Sequence, residues 1–236
     1  MGERLQLTIE DGRSDAAARA VAYDSFRRLF LYPGGQEQKD LVLDGAIEDL
    51  RRIAADLPYP TVWMADLAMP RSIDVATDFT RLFDHCSGRA RASLHEKDHV
   101  AVEASRLWEE LIRYYEHFGL EYDLGRAREW PDCLPVELEF AHYLAFLEAT
   151  VDARHTPDLV RAQADFLDRH LAAWVPAFAV RVALAGAGTV YCTCANALAD
   201  FVAADAGYLD ARRTSPPMAR ATGRSGHGAN LESRRT

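Results

Sequence analysis

The sequence predicts an all-α fold, a single compact bundle of about eight helices, and three features carry that reading. Apolar residues recur at intervals of three and four along most of the 236 residues, which is the period of an amphipathic helix. Strand-like alternation is confined to Leu5, Leu7 and Ile9, and one such piece builds no sheet. The interruptions between periodic stretches fall at proline and glycine, the residues that stop helices.

The first helix spans Asp15 to Leu31, with Ser14 placed to cap it and Ala18, Ala22, Phe26 and Leu29 on one stripe, and Pro33-Gly34-Gly35 ends it. A second, Glu37 to Leu57, carries Leu43, Ile47, Leu50 and Ala54 inward and stops before Pro58. Pro58, Pro60 and Pro70 make an irregular connector around Trp63. Ser72 then stands where it caps a short helix with Val75, Phe79, Leu82 and Phe83. Cys86 to His99 is polar, lacks the period and reads as a loop, and loops of that length in compact domains are often functional.

Val100 to Phe118 is again amphipathic and ends at Gly119. After a break at Trp130 to Pro135, Val136 to Ala153 is apolar around much of its circumference, as suits a central buried helix. Thr156-Pro157 opens the next, which reaches Trp174. Pro176 opens a short helix, and Thr189 to Ala206 forms the last, closed by Gly207. The chain thus divides into an N-terminal arm (residues 1–14), a helical domain (15–211) and a basic tail (212–236) whose composition predicts disorder.

Charge is unevenly placed. The net value is −9, yet the tail holds six arginines and one acid, leaving residues 1–211 with 21 basic and 35 acidic side chains, a charge of −14. Such a body repels phosphate, which argues against nucleic acid and anionic membrane and permits a cationic partner, while acidity for solubility is the plainer reading. The four cysteines, Cys86, Cys133, Cys192 and Cys194, are too few and scattered for a disulfide framework and suit a reducing compartment. Residues 1–15 offer no signal-like apolar run and no arginine pair precedes one, so a cytoplasmic location is expected. Val182 to Ala199 is uncharged, but its glycines, threonines and asparagine read as two buried helices meeting near Gly186 rather than a membrane span.

Two constellations bear on chemistry. The spacings Glu96-x-x-His99 and Glu139-x-x-His142 are those that di-iron or di-manganese helical bundles use to bring carboxylate and imidazole onto one helix face. This gives one reading, a di-metal carboxylate enzyme, although Glu96 falls in the expected loop. The other is the proline-bracketed turn Trp130-Pro131-Asp132-Cys133-Leu134-Pro135, followed by Val136-Glu137-Leu138-Glu139-Phe140, which delivers acids and aromatics to the start of the central helix. Asp132 is placed to cap that helix, and Glu137 and Glu139 suit its dipole. No phosphate loop, nucleophile elbow or zinc-protease helix is present.

The run Pro131-Asp132-x-x-x-x-Glu137-Leu138-Glu139-Phe140 resembles the signature of the TorD/DmsD/NarJ redox-enzyme maturation chaperones. A second block, Phe166-Leu167-x-x-His170-Leu171-x-x-Trp174-x-Pro176-x-Phe178, is similar to their stretch leading into the last helices, and Thr80-Arg81-Leu82-Phe83 agrees more loosely. The wording Trp-Pro-Asp-x-Leu-Pro is most similar to the delta subunits accompanying dimethylsulfide, ethylbenzene, selenate and chlorate oxidoreductases. One departure is Cys133, where the family usually has histidine, which withdraws any imidazole role there, including guanine-nucleotide binding.

The resemblance implies a non-catalytic cytoplasmic chaperone with no resident cofactor. Its partners would be the apo catalytic subunit of a molybdenum oxidoreductase and that subunit's twin-arginine signal peptide, and it would act as a monomer or a domain-swapped dimer. Two guanidinium forks and an apolar segment call for carboxylates beside an apolar groove. The expected peptide site therefore comprises Trp130, Pro131, Asp132, Glu137, Glu139, Phe140, His170, Trp174 and Phe178. Replacing Asp132 and Glu137 by alanine should then weaken binding without unfolding the chain.

Overall fold

The computed structural model describes residues 14–34, 36–67, 75–83, 91–123, 125 and 129–214. The strand-like piece at Leu5, the Ser72 cap, Cys86 and the tail from residue 215 lie outside the described residues. Among the described residues eight α-helices follow one another: α1 (Ser14–Leu29), α2 (Gln36–Ile53), α3 (Val75–Phe83), α4 (Ala104–His117), α5 (Leu134–Thr150), α6 (Thr156–Arg169), α7 (Leu171–Ala185) and α8 (Val190–Thr214). Short 3-10 turns lie at Val62–Asp66, Glu96–Asp98 and Ala153–His155, and among the described residues there is no strand.

The central element is α5, apolar on nearly every side. It packs on α1 and α6, while α1 also meets α2, and α8 lies across α6 and α7. Rings fill the space between. Phe26, Trp63 and Tyr23 surround Phe201 at centroid distances of 4.9–5.9 Å, and Phe83 meets Tyr191 edge-on at 5.2 Å. No described helix is long and apolar enough to cross a membrane.

Helix α4 shows how the sequence punctuates. The Glu103 carboxylate accepts from the Arg106 N–H at the N-terminus. At the other end Gly119 takes φ +76°, its N–H bonds Glu116 O (2.9 Å) and the Leu120 N–H bonds Tyr115 O (3.0 Å), a Schellman closure. A Cβ at Gly119 would meet no atom within 4 Å, so the cost of Gly119→Ala is conformational alone. We expect about 1 kcal/mol, measured as a shift of the urea midpoint, and less for Gly119→Asn.

Several boundaries differ from the sequence reading: α2 ends at Ile53 rather than Leu57, α4 begins at Ala104 rather than Val100, and three further differences follow. The break between α6 and α7 falls at His170 (φ −119°, ψ −98°), not after Trp174, and Pro176 sits inside α7. The side chains of His170 and Trp174 are each bonded to a buried carboxylate, and those bonds place the corner. Helix α8 passes through Gly207 to Thr214, because Asp205, Tyr208, Arg212 and Arg213 anchor it on neighbouring helices. Arg212 and Arg213 thereby belong to the folded domain rather than to the tail. Helix α5 starts at Leu134, and Asp132 does not cap it: the N-cap is Cys133, with no side-chain bond.

Candidate functional site

Residues 92–99 and the tryptophan-proline corner are stitched together by backbone bonds. Leu134 N–H donates to Leu94 O (2.8 Å) and Glu96 N–H to Asp132 O (2.9 Å), forming an isolated antiparallel bridge between His95 and Cys133. From the other side, Tyr115 Oη donates to Pro131 O (2.8 Å). The polar 92–99 stretch is thus a strut that carries Glu96 into the protein interior.

What it meets there is a closed polar junction. Glu96 Oε2 lies 3.0 Å from His170 Nδ1, and Trp174 Nε1 donates to Glu137 Oε2 at 3.0 Å. Glu137 is fully buried, and burial first, then the neighbouring Glu96 charge, push its carboxyl well above the ordinary range, which favours the protonated acid. Asp132 Oδ2 accepts from the Lys97 N–H (3.2 Å) and Oδ1 faces His95 Nδ1 at 3.4 Å. The His99 ring packs on Trp174 and Phe178, at 5.1 and 5.9 Å. The two signature blocks therefore converge on a single buried knot joining α5 to α7 through residues 92–99.

This placement corrects the expected open trough at the corner. Pro131, Asp132, Glu137, Phe140, His170, Trp174 and Phe178 are all buried, and a carboxylate without water access cannot receive a guanidinium from outside. Of the nine residues, Trp130 (46% exposed) and Glu139 reach solvent, and Trp130 stacks on Trp108 at 4.3 Å. Inside the closed corner the bond from Trp174 and the raised pKa of Glu137, which favours its neutral form, reduce the cost of burying the acid. Cys133, standing in for the usual histidine, is buried, and burial pushes its thiol up into the unreactive range.

The four residues of the di-metal reading are likewise dispersed. Glu96 is held by His170, His99 Nε2 bonds Ser93 O, His142 Nδ1 bonds Ala20 O (2.8 Å), and Glu139 lies on the surface. Among the described residues no group of three or more His, Cys, Asp or Glu side chains is placed to hold a metal ion.

An acidic concavity does exist on the outer side of the same helix. A groove of about 490 Å³ runs between the C-terminal end of α4 and the first turns of α5. Glu121, Glu129 and Glu139 stand around a floor of Tyr115, Tyr122, Phe140 and Tyr143, with His142 beside them, and among the described residues no lysine or arginine is in its lining. Tyr122 Oη donates to Glu129 O, which holds the rim together. Across Glu129 lies a second cavity of about 290 Å³, between α1, α3 and α5. A larger groove of about 720 Å³ between α4 and α6 is different in kind, since its rim charges neutralise one another through the Arg169–Glu110 (3.0 Å) and Arg113–Glu109 (3.6 Å) pairs.

Sequence reasoning passed over a second buried polar cluster. Arg19 on α1 donates to both oxygens of Asp205 on α8 (2.5 and 3.0 Å), to Glu148 on α5 (2.9 Å) and to Gln163 on α6 (2.7 Å). Tyr23 and Tyr59 also donate to Asp205, at 2.5 and 3.0 Å, and Arg212 closes on Glu148 at 2.5 Å. Burial first, then the Asp205 charge, push both phenols up, so they remain donors. The signal in the sequence is a charge at a core register: Arg19 precedes Tyr23, Phe26 and Phe30 on one stripe, and Asp205 follows Leu198 and Phe201 on another.

Fold and site together define an all-helical binding protein, with one closed polar knot at its centre and an acidic, ring-floored groove beside it. The chain belongs to the nitrate reductase delta subunit family, whose model matches residues 43–180. That is the NarJ/TorD type of redox-enzyme maturation chaperone to which the sequence motifs pointed.

Similar curated proteins include the chlorate reductase assembly chaperone of Ideonella dechloratans, 31% identical over 70% of this chain and 77% of that protein. The selenate reductase assembly chaperone of Thauera selenatis is 38% identical over 44% of this chain and 55% of its own length. The perchlorate reductase assembly chaperone of Dechloromonas aromatica is 40% identical over 36% and 39%. The chain thus spans about half of the selenate relative's length and less of the perchlorate relative's. Among solved structures, a redox enzyme maturation protein from Archaeoglobus fulgidus aligns over 86% of this chain and 99% of its own, with 22% identity and a TM-score of 0.43.

Proposed function

We propose that the chain is a non-catalytic, cytoplasmic assembly chaperone that binds the twin-arginine signal peptide and apo catalytic subunit of a molybdenum oxidoreductase, and releases them once the cofactor is in place. The observation that carries this reading is the groove between α4 and α5. Three exposed carboxylates beside the partly exposed rings of Tyr122 and Tyr143, with no lysine or arginine in the lining among the described residues, suit two adjacent guanidinium groups, which pair with carboxylates and stack on rings. The contact site then differs from the expected one in a specific way. Glu139 faces the ligand side, Phe140 supplies floor, Trp130 stands outside the lining against Trp108, and the buried remainder of the motif holds the α5 wall in position. Release needs only a lower affinity for the mature subunit, so no turnover chemistry enters.

A synthetic peptide carrying an Arg-Arg pair and a following apolar run should bind the purified protein, measured by isothermal titration calorimetry, with affinity falling as salt rises. The triple variant Glu121→Gln, Glu129→Gln, Glu139→Gln, all three exposed, should fold normally and lose about tenfold or more in affinity. Undiminished affinity in the folded triple variant would remove the groove from the reading.

A further inference from the structure

Around the acidic groove the fold matches exposed carboxylates with arginines. Glu109 faces Arg113, Glu110 faces Arg169, and Asp165 and Asp168 both hold Arg213, at 3.1 and 2.8 Å. Inside the groove that matching stops. Glu121, Glu129 and Glu139 stand where no described lysine or arginine lines the wall, and the imidazole beside them, His142, is engaged through Nδ1 with Ala20 O (2.8 Å). Three carboxylates in one concavity repel one another and draw in a cation that can reach them.

One source of cations is covalently attached. The described chain stops at Thr214, and residues 215–236 carry Arg220, Arg224 and the adjacent Arg234-Arg235 against one acid, Glu232. The bonds of Arg213 to Asp165 and Asp168 hold the end of α8 on α6 and so fix where this segment starts. Asp165 also lines the larger groove between α4 and α6, as does Phe118, the C-terminal cap of α4, and the Phe118 ring meets Phe140 on the floor of the acidic groove at 5.8 Å. The two grooves therefore adjoin at the end of α4. A chain as long as residues 215–233 spans up to about 65 Å extended and about 25 Å on average, whereas all of α4 is about 21 Å long.

We infer that the segment 215–236 is the groove's own occupant in the absence of ligand: Arg234 and Arg235 pair with Glu121, Glu129 and Glu139, and a ligand binds by displacing them. This rests on the proposed function for its ligand and adds how access to that site is regulated. Attachment compensates for a weak contact. Exposed ion pairs are individually feeble, but a flexible tether of about 20 residues presents its end at about a millimolar effective concentration. Where that exceeds the dissociation constant of the tail tenfold, an incoming ligand is weakened about tenfold. A ligand offering only an arginine pair then competes poorly, and one that makes further contacts prevails.

Two measurements on the full chain test this. With no peptide added, the paired substitution Arg234→Gln and Arg235→Gln should shift the amide resonances of Tyr122, Glu139 and Tyr143 and leave those of Leu198 and Phe201 in the core unmoved. In calorimetry the same variant should bind the Arg-Arg peptide about three- to tenfold more tightly than the parent. Arg220→Gln with Arg224→Gln removes the same charge from the segment and should do neither. If the peptide binds parent and Arg234/Arg235 variant equally and the groove resonances stay in place, the tail is not the occupant while the proposed function stands, and Arg126 and Arg128, close to Glu129 in sequence, become the cations to test. If both paired variants act alike, net charge and not a seated pair is responsible, and the inference falls. If the groove resonances move but no Arg-Arg peptide binds either form, the proposed function falls and the contact within the chain stands.

Discussion

Asp205→Ala should destabilise the protein by about 3–5 kcal/mol, the range for removing one partner of a buried ion pair. The substitution strands Arg19, a fully buried guanidinium, with Glu148 and Gln163 as its remaining partners. It also removes the acceptor of Tyr23 and Tyr59, which join α1 and the α2–α3 connector to α8. Arg19 cannot shed its proton to relieve the loss. Urea or thermal unfolding measures the effect, and Asp205→Asn separates its components, since the amide keeps an acceptor oxygen and removes the charge. A loss below about 1 kcal/mol for the alanine variant would show that water or a rearranged Glu148 neutralises Arg19, and that the network contributes little to holding α1, α5, α6 and α8 together.

The second large effect is expected at the closed knot. The paired substitution Asp132→Ala and Glu137→Ala should cost about 3–5 kcal/mol, because it leaves Trp174 Nε1 and the Lys97 N–H without acceptors in a site that water does not reach. The same pair tests a peptide site only if both acids face outward, and both are buried. In the folded protein it tests stability instead.

Glu137→Gln tests the proton. Burial and Glu96 raise the folded-state pKa of Glu137 above its unfolded value, so the fold favours the protonated acid. Its stabilising contribution is complete below the ordinary glutamate range, near pH 4.3, and is lost as pH rises toward the folded pKa, by about 1.4 kcal/mol for each pH unit. Glutamine imitates the protonated acid, accepts from Trp174 and carries no ionisation cost. Glu137→Gln should therefore gain stability relative to the parent as pH is raised from 5 to 8, read from urea midpoints at each pH. Parallel profiles would mean that Glu137 is ionised in the native state.

The helices, their number and most of their ends were legible in the chain, since a 3.6-residue apolar period and its proline and glycine stops are local properties. Gly119 illustrates this: a glycine after an amphipathic run closes α4 as expected. Where a side chain's partner lies far along the chain, local rules chose differently. Trp174 and Pro176 suggested the end of one helix and the start of another, whereas bonds from His170 to Glu96 and from Trp174 to Glu137 put the corner four residues earlier. Gly207 suggested a stop, and the tertiary anchors of Asp205, Tyr208 and Arg212 carried α8 past it.

The site divides along the same line. By itself the sequence determined that acids and aromatics gather at the start of the central helix, that two motif blocks belong together, and that the body of the chain is strongly acidic. Which of those acids faces water was decided by the tertiary structure alone. Glu137 and Glu139 are two positions apart on one helix, about 200° around its axis. The first is buried beside Glu96 and bonded by Trp174, while the second stands on the rim of an open groove. Composition and spacing are the same for both. The difference is the strut of residues 92–99, which arrives from elsewhere in the chain and covers one face of α5 and not the other.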